Sequence, residues 1–180
     1  MVDAIGVGCQ QLENEKHDLL FAVRRSVRYH YRRSCFFDGW NRFTIVISII
    51  LGSAAVASFL NGNTITSIYP ALLSFWSAFI AIISTRMARL HTDLARRFIA
   101  LTVEIIRIKE LTEDDIIELR VKRLEIEADE PPIKRILDII CHNELCQAEG
   151  YPESKLYHVP FYKRFLANFL SSGDASIRKR

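Results

Sequence analysis

Two long apolar stretches, separated by a short polar turn, dominate the hydrophobic pattern of the chain. The first, FTIVISIILGSAAVASFL, covers residues 43–60, and the second, ITSIYPALLSFWSAFIAII, covers residues 65–83. Neither stretch contains Lys, Arg, Asp or Glu. Because a helix of roughly 20 apolar residues crosses the ~30 Å hydrocarbon layer of a bilayer, both stretches suit short transmembrane helices. The pattern therefore predicts a transmembrane hairpin.

Basic residues flank the predicted hairpin on both outer sides. The turn at residues 61–64 carries no charge, whereas arginines precede the first span and follow the second. Positive charge marks the cytoplasmic side of a span, so we expect both termini in the cytoplasm and the turn outside. The arginines expected to anchor the hairpin at the inner leaflet are Arg28, Arg32, Arg33, Arg42, Arg86, Arg89, Arg96 and Arg97.

The alternative is a buried helical hairpin inside a soluble helical bundle. A core helix in so small a protein would show a polar face, because only part of its surface can be covered. The polar residues of these stretches are mainly Ser and Thr, whose hydroxyls can bond to the backbone of their own helix within lipid. We therefore favour the membrane interpretation.

Helical periodicity continues on both sides of the hairpin and predicts an all-α fold. Residues 10–37 contain neither Pro nor Gly, and Asp38-Gly39 is the first possible break before the membrane. After the second span, apolar residues alternate three and four apart, as in a coiled-coil seam. The economical arrangement is an antiparallel helical stalk that projects ~25–35 Å into the cytoplasm, at a rise of ~1.5 Å per residue. The predicted seam comprises Leu90, Leu94, Phe98, Leu101, Ile105 and Ile108.

Capping and proline signals predict two further cytoplasmic helices. Thr112 and Asp115 form a capping-box pattern, which starts a helix that runs to about Ala128. A Pro-Pro pair then forces a new start, because proline suits the first turn of a helix and not its interior. This helix is expected over residues 131–149, with Gly150 ending it.

The C-terminal region contains a short aromatic and basic helix, predicted over residues 159–170. Its aromatic side chains group together, with Lys163 and Arg164 opposite. This pattern suits a position in the membrane interface and suits packing on the stalk equally well. The chain thus divides into a cytoplasmic N-terminal helix (1–42), the hairpin (43–85, with spans at 43–60 and 65–83), cytoplasmic helices (86–150) and the short aromatic helix with its tail (151–180).

Composition and candidate reactive groups argue against catalysis. The formal net charge of +3 is too small for a dedicated nucleic-acid-binding protein, and the four cysteines, all on the predicted cytoplasmic side, should stay reduced. Cys141, His142 and Cys146 form the most metal-like cluster, but cysteines at this spacing diverge on a helix. The acidic run before Pro131 is typical of a solvated face or of a helix-dipole partner for the next helix. No catalytic residue, metal or cofactor is expected.

Small residues recur inside both spans and supply the candidate functional positions. In lipid, such residues let two helices approach closely, because no hydrophobic force drives their association. We favour packing of the hairpin against itself; the alternative is oligomerisation, with several copies enclosing a pore that gates by dewetting. The positions are Ser48, Gly52, Ser53, Ala57, Ser74, Ser77, Ala78 and Ala81, and Ser67 and Ser84 (or Thr85) extend the stripe of the second span.

Four segments carry a family pattern: RRSVRYHYRRSCFFDGW, ILGSAAV, RMARLHTDLARRFIAL and RLEIEADEPPIKRILDIICHNEL. They resemble the SLATT family, two-transmembrane effector domains associated with SMODS nucleotidyltransferases and SLOG nucleotide sensors. The resemblance covers about residues 21–162 and is strongest in the basic flank and at residues 89–98. It implies a pore-forming or membrane-perturbing effector of the bacterial inner membrane, which acts in a nucleotide-signalled anti-phage or conflict system.

The sequence therefore predicts an oligomeric, non-enzymatic membrane effector that contacts the lipid bilayer and binds no nucleic acid. The resemblance offers no catalytic residues, and no sensor domain is recognisable in this chain. A trigger must act directly on the cytoplasmic helices or come from a nucleotide-sensing or nucleotide-synthesising partner protein. The alternative function is a non-conducting membrane anchor that positions a cytoplasmic partner.

Overall fold

The described part of the chain is largely helical, with two long helices, two shorter ones and a last short helix. The computed structural model describes the backbone of residues 2–169 and the side chains of residues 10–169. No β-strand occurs among these residues, so the predicted all-α fold is confirmed. The helices are α1 (Val2–Leu60), α2 (Thr64–Arg107), α3 (Glu113–Glu127), α4 (Arg135–Ala148) and α5 (Phe161–Leu166), with a 3-10 turn at Glu153–Lys155.

The helices form two compact units, and both long helices contribute to each. The hairpin unit comprises Arg32–Thr92, and the helical unit combines Met1–Tyr31 with the chain from Asp93 onward. The predicted hairpin, residues 43–85, lies within the first unit. The predicted cytoplasmic helices from α3 onward lie within the second.

α1 passes without interruption through Asp38-Gly39, where the sequence offered a possible break. Gly39 is exposed, and no neighbouring heavy atom lies within 4 Å of the place where a Cβ would stand. A glycine inside a helix costs only about 1 kcal/mol relative to alanine, which a helix that extends far on both sides can absorb. The N-terminal helix and the first apolar stretch are therefore one helix.

The hairpin turns where α1 ends in a Schellman motif. Gly62 has a φ of +78°, a conformation that residues with a Cβ rarely adopt. The amide of Asn63 donates to the carbonyl of Ser58 at 3.1 Å, and the amide of Gly62 donates to that of Phe59 at 3.0 Å. These bonds satisfy carbonyls that the helix end leaves open. A short turn between the apolar stretches is confirmed.

The predicted seam of α2 supplies the core of the helical unit. Leu94, Phe98, Leu101 and Ile105 are at most 3% exposed. His30 of α1 lies against them, its ring stacked on that of Phe98 with centroids 5.6 Å apart. Buried apolar residues of the other helices complete the core: Leu19 and Val23 of α1, Ile116, Leu119 and Ile126 of α3, and Ile136, Leu137, Ile140 and Leu145 of α4.

α3 begins at the capping box that the sequence predicts. The amide of Asp115 donates to the hydroxyl oxygen of Thr112 at 3.2 Å. In return, the Asp115 carboxylate accepts from the hydroxyl and the amide of Thr112 at 2.6 and 2.9 Å. These bonds to the charged form hold the pKa of the Asp115 carboxyl below its ordinary value. The helix ends at Glu127 with Ala128 as its cap, also as predicted.

α4 begins later than predicted, at Arg135 and not at Pro131. Two successive prolines keep the chain extended, because a proline disfavours helical geometry in the residue before it. The amide of Lys134 donates to the hydroxyl of Tyr29 at 2.8 Å. A contact with α1 thus satisfies an amide that the prediction had placed inside the helix.

Gly150 ends α4 in a second Schellman motif, as predicted. Its φ is +74°, and its amide donates to the carbonyl of Gln147 at 3.3 Å. The amide of Tyr151 donates to the carbonyl of Cys146 at 2.9 Å. A glycine in the left-handed conformation therefore ends α4, just as Gly62 ends α1 at the hairpin turn.

α5 is shorter than the predicted helix at 159–170 and lies against α4. Ala167 joins a buried cluster with residues of α1 and α4, and Lys163 is only 6% exposed, so packing within the helical unit is observed. The aromatic side of α5 remains exposed. Leu170, the last residue of the predicted helix, and the tail at 171–180 lie outside the described residues. The exposed aromatic residues are Phe161, Tyr162, Phe165 and Phe169.

Removing the capping box should destabilise α3 without unfolding the protein. Thr112→Ala deprives the Asp115 amide of its acceptor, and loss of such a cap costs about 1 kcal/mol. We expect faster hydrogen exchange of the α3 amides in the full-length protein, measured by mass spectrometry. Thr102→Ala is the matched control, because that hydroxyl bonds to the carbonyl of Phe98 in its own helix. Unchanged α3 exchange in Thr112→Ala would contradict a stabilising cap.

The effect of Thr112→Ala should also depend on pH in one direction. Because the folded pKa of the Asp115 carboxyl is lowered, its contribution is present above the ordinary pKa and is lost as the pH falls through the folded pKa. Thermal unfolding followed by circular dichroism should therefore show wild type and variant converging in acid. A constant difference at every pH would assign the whole effect to the hydroxyl.

Candidate functional site

The two apolar helices meet along a seam of small and hydroxylated side chains. The seam reverses the pattern of a soluble core, because its buried positions are Ser, Thr and Ala and not Leu, Ile or Phe. Six of its residues are 3–9% exposed: Thr44, Ala55, Ser67, Ser77, Ala81 and Ser84. Its members are thus Thr44, Ser48, Gly52 and Ala55 of α1, and Ser67, Ser74, Ser77, Ala81 and Ser84 of α2.

Large apolar side chains cover the outside of the hairpin unit. Ile49, Phe75 and Ile82 are 63%, 73% and 70% exposed, and they represent many others in both helices. In the most apolar windows of α1 and α2, only 11% and 17% of the residues are buried. A core helix of a soluble protein would be mostly buried. Both helices are long and apolar enough to cross a bilayer.

Hydroxyls bond directly across the seam at Ser48 and Ser74. The Ser48 hydroxyl donates to the backbone carbonyl of Ser74 at 3.0 Å, and the Ser74 hydroxyl donates to the carbonyl of Ser48 at 2.9 Å. The two hydroxyl oxygens are 3.3 Å apart. Each serine therefore bonds the main chain of the opposite helix, which requires the two backbones to lie close together.

Gly52 permits this approach one turn after Ser48. A Cβ at position 52 would stand 3.2 Å from the Ser74 hydroxyl oxygen, a separation tighter than most real Cβ contacts. The Ser74 hydroxyl would have to move by a few tenths of an ångström to admit an alanine at position 52. A larger side chain would require a larger movement. The glycine is thus needed for its small size, since its helical backbone would suit other residues.

Five of the eight predicted small residues lie in the seam, and three lie on the exposed surface. Ser48, Gly52, Ser74, Ser77 and Ala81 recur three, four or seven positions apart and share a face. The exposed set is Ser53, Ala57 and Ala78. The Ser53 hydroxyl donates to the carbonyl of Ile49 within its own helix, at 2.9 Å.

The sequence prediction missed two buried seam residues, Thr44 and Ala55, whereas Ser67 and Ser84 belong to the small-residue stripe expected in the second span. A seven-residue repeat is the signal for most of the seam, including Ala55, which lies seven residues after Ser48, but it does not mark Thr44. Ser67, Ser74 and Ala81 are seven apart, as are Ser77 and Ser84. Such spacing is typical of the contact face of paired helices, although the exposed Ala71 and Ala78 are also seven apart.

A buried cluster of aromatic and basic side chains lies in the hairpin unit. Its residues are among those of the unit farthest in sequence from the turn. The rings of Phe37 and His91 stack with centroids 5.7 Å apart, and the Arg33 guanidinium lies 4.5 Å from the centre of the Phe37 ring. Arg33 is 8% exposed, so it is a cation–π partner and not a surface anchor. Of the other predicted anchors, Arg28 and Arg97 are half-buried and Arg32, Arg42, Arg86, Arg89 and Arg96 are exposed.

The cysteines of α4 are placed for packing. Cys141 and Cys146 are buried, and the Cys146 sulfur lies 3.4 Å from Nε2 of His142. Burial raises the pKa of the Cys146 thiol, which disfavours the thiolate that a metal or a nucleophilic reaction needs. In the described part of the chain, no three His, Cys, Asp or Glu residues are grouped to hold a metal ion. The side chain of Cys9 lies outside the described residues.

Comparison with known proteins gives no match: no family model, curated protein or solved structure matches the chain. Function is therefore argued from the seam, the exposed apolar surface and the charged residues themselves.

Widening the seam should separate α1 from α2. Ser48→Cys combined with Ser74→Cys should form an intrachain disulfide under mild oxidation, because the native oxygens are 3.3 Å apart. Adding Gly52→Leu should abolish that cross-link, whereas adding Ala71→Leu, at an exposed small residue, should preserve it. Linked peptides are quantified by mass spectrometry.

An unchanged cross-link in the Gly52→Leu background would show that the approach does not require a glycine. Hydrogen exchange of α3 in the same samples separates a local effect from general misfolding. The local interpretation requires α3 protection to stay unchanged.

Proposed function

We propose that this protein is a two-span effector of the bacterial inner membrane, with both termini in the cytoplasm. Several copies assemble into an oligomer that forms a pore or perturbs the bilayer, without enzymatic chemistry. The inverted polarity of the hairpin unit carries this proposal. Its hydroxyls and small residues meet inside, and its large apolar side chains lie outside.

The energetics of that surface favour lipid over water. Exposed apolar area costs roughly 25 cal/mol per Å² in water, whereas acyl chains solvate the same surface in a bilayer. The hydroxyls of five seam residues bond to helix carbonyls, as groups inside a membrane require: Thr44, Ser48, Ser67, Ser74 and Ser77. Exposed Arg42 lies just before the first predicted span, and exposed Arg86 lies just after the second. Trp40 suits the interfacial layer. These features support insertion with the orientation that the arginines predict.

A two-state mechanism accounts for an effector that is inactive until triggered. In both states, each hairpin keeps its own seam closed through Ser48 and Ser74, and in the closed state the hairpins are dispersed. In the active state, hairpins of several copies associate through exposed small residues such as Ser53, Ala57 and Ala78. A ligand or partner shifts this balance only by its difference in affinity for the two states. The resemblance to the SLATT family supports a partner that senses or makes a nucleotide signal.

A non-conducting membrane anchor is the second candidate function. The completeness of the seam favours it, because the cross-helix bonds at Ser48 and Ser74 already employ hydroxyls that a water-filled pore would use. In this case the hairpin holds the helical unit at the membrane, where charged residues such as Arg96 and Arg97 recruit a cytoplasmic partner.

Membrane insertion should be evident from extraction. Full-length protein in the membrane fraction should resist high salt and alkaline carbonate and leave only with detergent. Release by salt alone would refute the transmembrane hairpin and support the soluble bundle.

Effector and anchor should differ in the membrane potential of a bacterial host, measured with a potential-sensitive dye. At equal membrane abundance, with expression strong enough for the wild type to assemble without its trigger, we expect the wild type to depolarise the membrane. Gly52→Leu should lose most of this depolarisation, and Ala71→Leu should retain it. Gly52→Leu disturbs the seam, whereas Ala71 lies on the outer surface. Depolarisation by no variant, with extraction unchanged, would refute a self-assembling effector and favour the anchor. Equal depolarisation by all three would exclude the seam from the mechanism.

A further inference from the structure

Two apolar stripes remain exposed on the helical unit. Each lies on the side of its helix opposite the core and follows a spacing of four and then three residues, which places its members on one face. On α2, Ile99, Val103 and Ile106 are 48%, 41% and 54% exposed. On α3, Ile117, Val121 and Leu124 are 58%, 48% and 63% exposed.

The two stripes share one spacing and carry opposite charges at their ends. The α2 stripe reads Arg96–x2–Ile99–x3–Val103–x2–Ile106–Arg107, and the α3 stripe reads Asp114–x2–Ile117–x3–Val121–x2–Leu124–Glu125. All four terminal charged residues are exposed. Basic residues therefore border one apolar face, and acidic residues border a face of the same length.

The surroundings of the stripes extend this charge difference. Ile99 and Val103 line an open groove of about 510 Å³, whose other walls include Arg24, Arg28 and Glu149. Glu149 pairs with Arg24 at 3.0 Å, so Arg28 leaves the groove with a net positive charge. α3 carries six acidic and three basic residues. A basic groove with an apolar floor thus lies on one part of the unit, and an acidic ridge with an apolar crest lies on another.

We infer that the groove and the ridge are the two halves of a head-to-tail interface between copies of this chain. The α3 stripe of one copy packs on the α2 stripe of the next, with Asp114 and Glu125 opposite Arg96 and Arg107. Because the charges at the two ends of each stripe are alike, they match whichever way the helices run. This contact specifies how the oligomer of the proposed function assembles. The stripes alone support the interface, and only its role in a pore rests on the proposed function.

Charge selects this pairing over the symmetric one. Two α2 stripes would bring arginines together, and two α3 stripes would bring carboxylates together, so like faces repel. A head-to-tail contact uses different surfaces on its two sides and therefore repeats from copy to copy. Such contacts close into a ring or continue as a filament. A ring of helical units would gather several hairpins, as a pore requires.

Charge reversal tests the interface in the full-length protein. Arg96→Glu with Arg107→Glu makes both stripes acidic, and Asp114→Lys with Glu125→Lys makes both basic. We expect each double variant to need at least a ~tenfold higher concentration for assembly than the wild type, measured by light scattering in detergent. The control Glu13→Lys with Glu110→Lys changes net charge as much as the second variant, at exposed positions outside both stripes, and should assemble normally.

Two rescue experiments separate pairing from damage. The chain with all four substitutions should assemble like the wild type, because its acidic and basic stripes have exchanged places. An equimolar mixture of the two double variants should also assemble, with the two chains in equal amounts by mass spectrometry. Rescue in both requires that opposite stripes meet between copies.

Other outcomes overturn the inference. A wild type that is monomeric in detergent and in bilayer discs would assign the stripes to a different protein. Double variants that assemble normally would place the interface elsewhere. Depolarisation is scored in parallel: assembly with stripe-dependent rescue but without depolarisation would refute the conductive function and leave the interface standing. Depolarisation by double variants that do not assemble would refute the interface and leave the conductive function standing.

Discussion

The close approach of α1 and α2 at Ser48, Gly52 and Ser74 is the constraint on which the hairpin unit depends. Each serine hydroxyl bonds the opposite backbone, and Gly52 leaves room for the Ser74 hydroxyl. A contact this close excludes large side chains from the seam, so they must point outward. The polar seam and the apolar exterior are therefore two consequences of one packing choice. That choice suits a solvent in which hydrogen bonds and van der Waals contact, and not the hydrophobic effect, hold helices together.

Features that depend on local or periodic patterns were predictable from the sequence. The two apolar helices, the turn at Gly62, the capping box at Thr112 and the buried α2 seam all follow from neighbouring residues or from regular spacing. The late start of α4 was not predictable, because the partner of the Lys134 amide is the Tyr29 hydroxyl, far away in sequence. The burial of Arg33 was missed for a similar reason: a run of arginines does not reveal which one lies over a ring. In the candidate site, small residues four apart include Gly52 of the seam but also the exposed Ala57, and small residues seven apart include the exposed Ala71 and Ala78, so spacing alone does not separate the two faces.

The helical unit is held by a different balance of forces. Its core is apolar, but polar pairs fix how the helices meet: Nε2 of the buried His30 lies 3.0 Å from Oε1 of Glu130. Nearby, burial raises the pKa of the Asp138 carboxyl, while Arg25, 3.2 Å away, opposes that shift. Pairs of this kind often add little net stability, because desolvation offsets their attraction. They do penalise alternative packings that would leave one member buried and unpaired, which favours one arrangement of α1, α4 and the segment between α3 and α4.

The division of labour between the units has a consequence for assembly. The exterior of the hairpin offers apolar and small side chains, which pack well in lipid but distinguish partners poorly. The helical unit offers stripes of opposite charge, which distinguish like from unlike surfaces. Because both belong to one chain, a specific contact in the helical unit raises the effective concentration of the attached hairpins. In the proposed oligomer, weak contacts through residues such as Ser53 and Ala57 would then suffice to associate them, although the same contacts would not assemble isolated hairpins. Specificity in the helical unit and adaptability in the membrane are thus complementary requirements of an oligomer built from a two-helix hairpin.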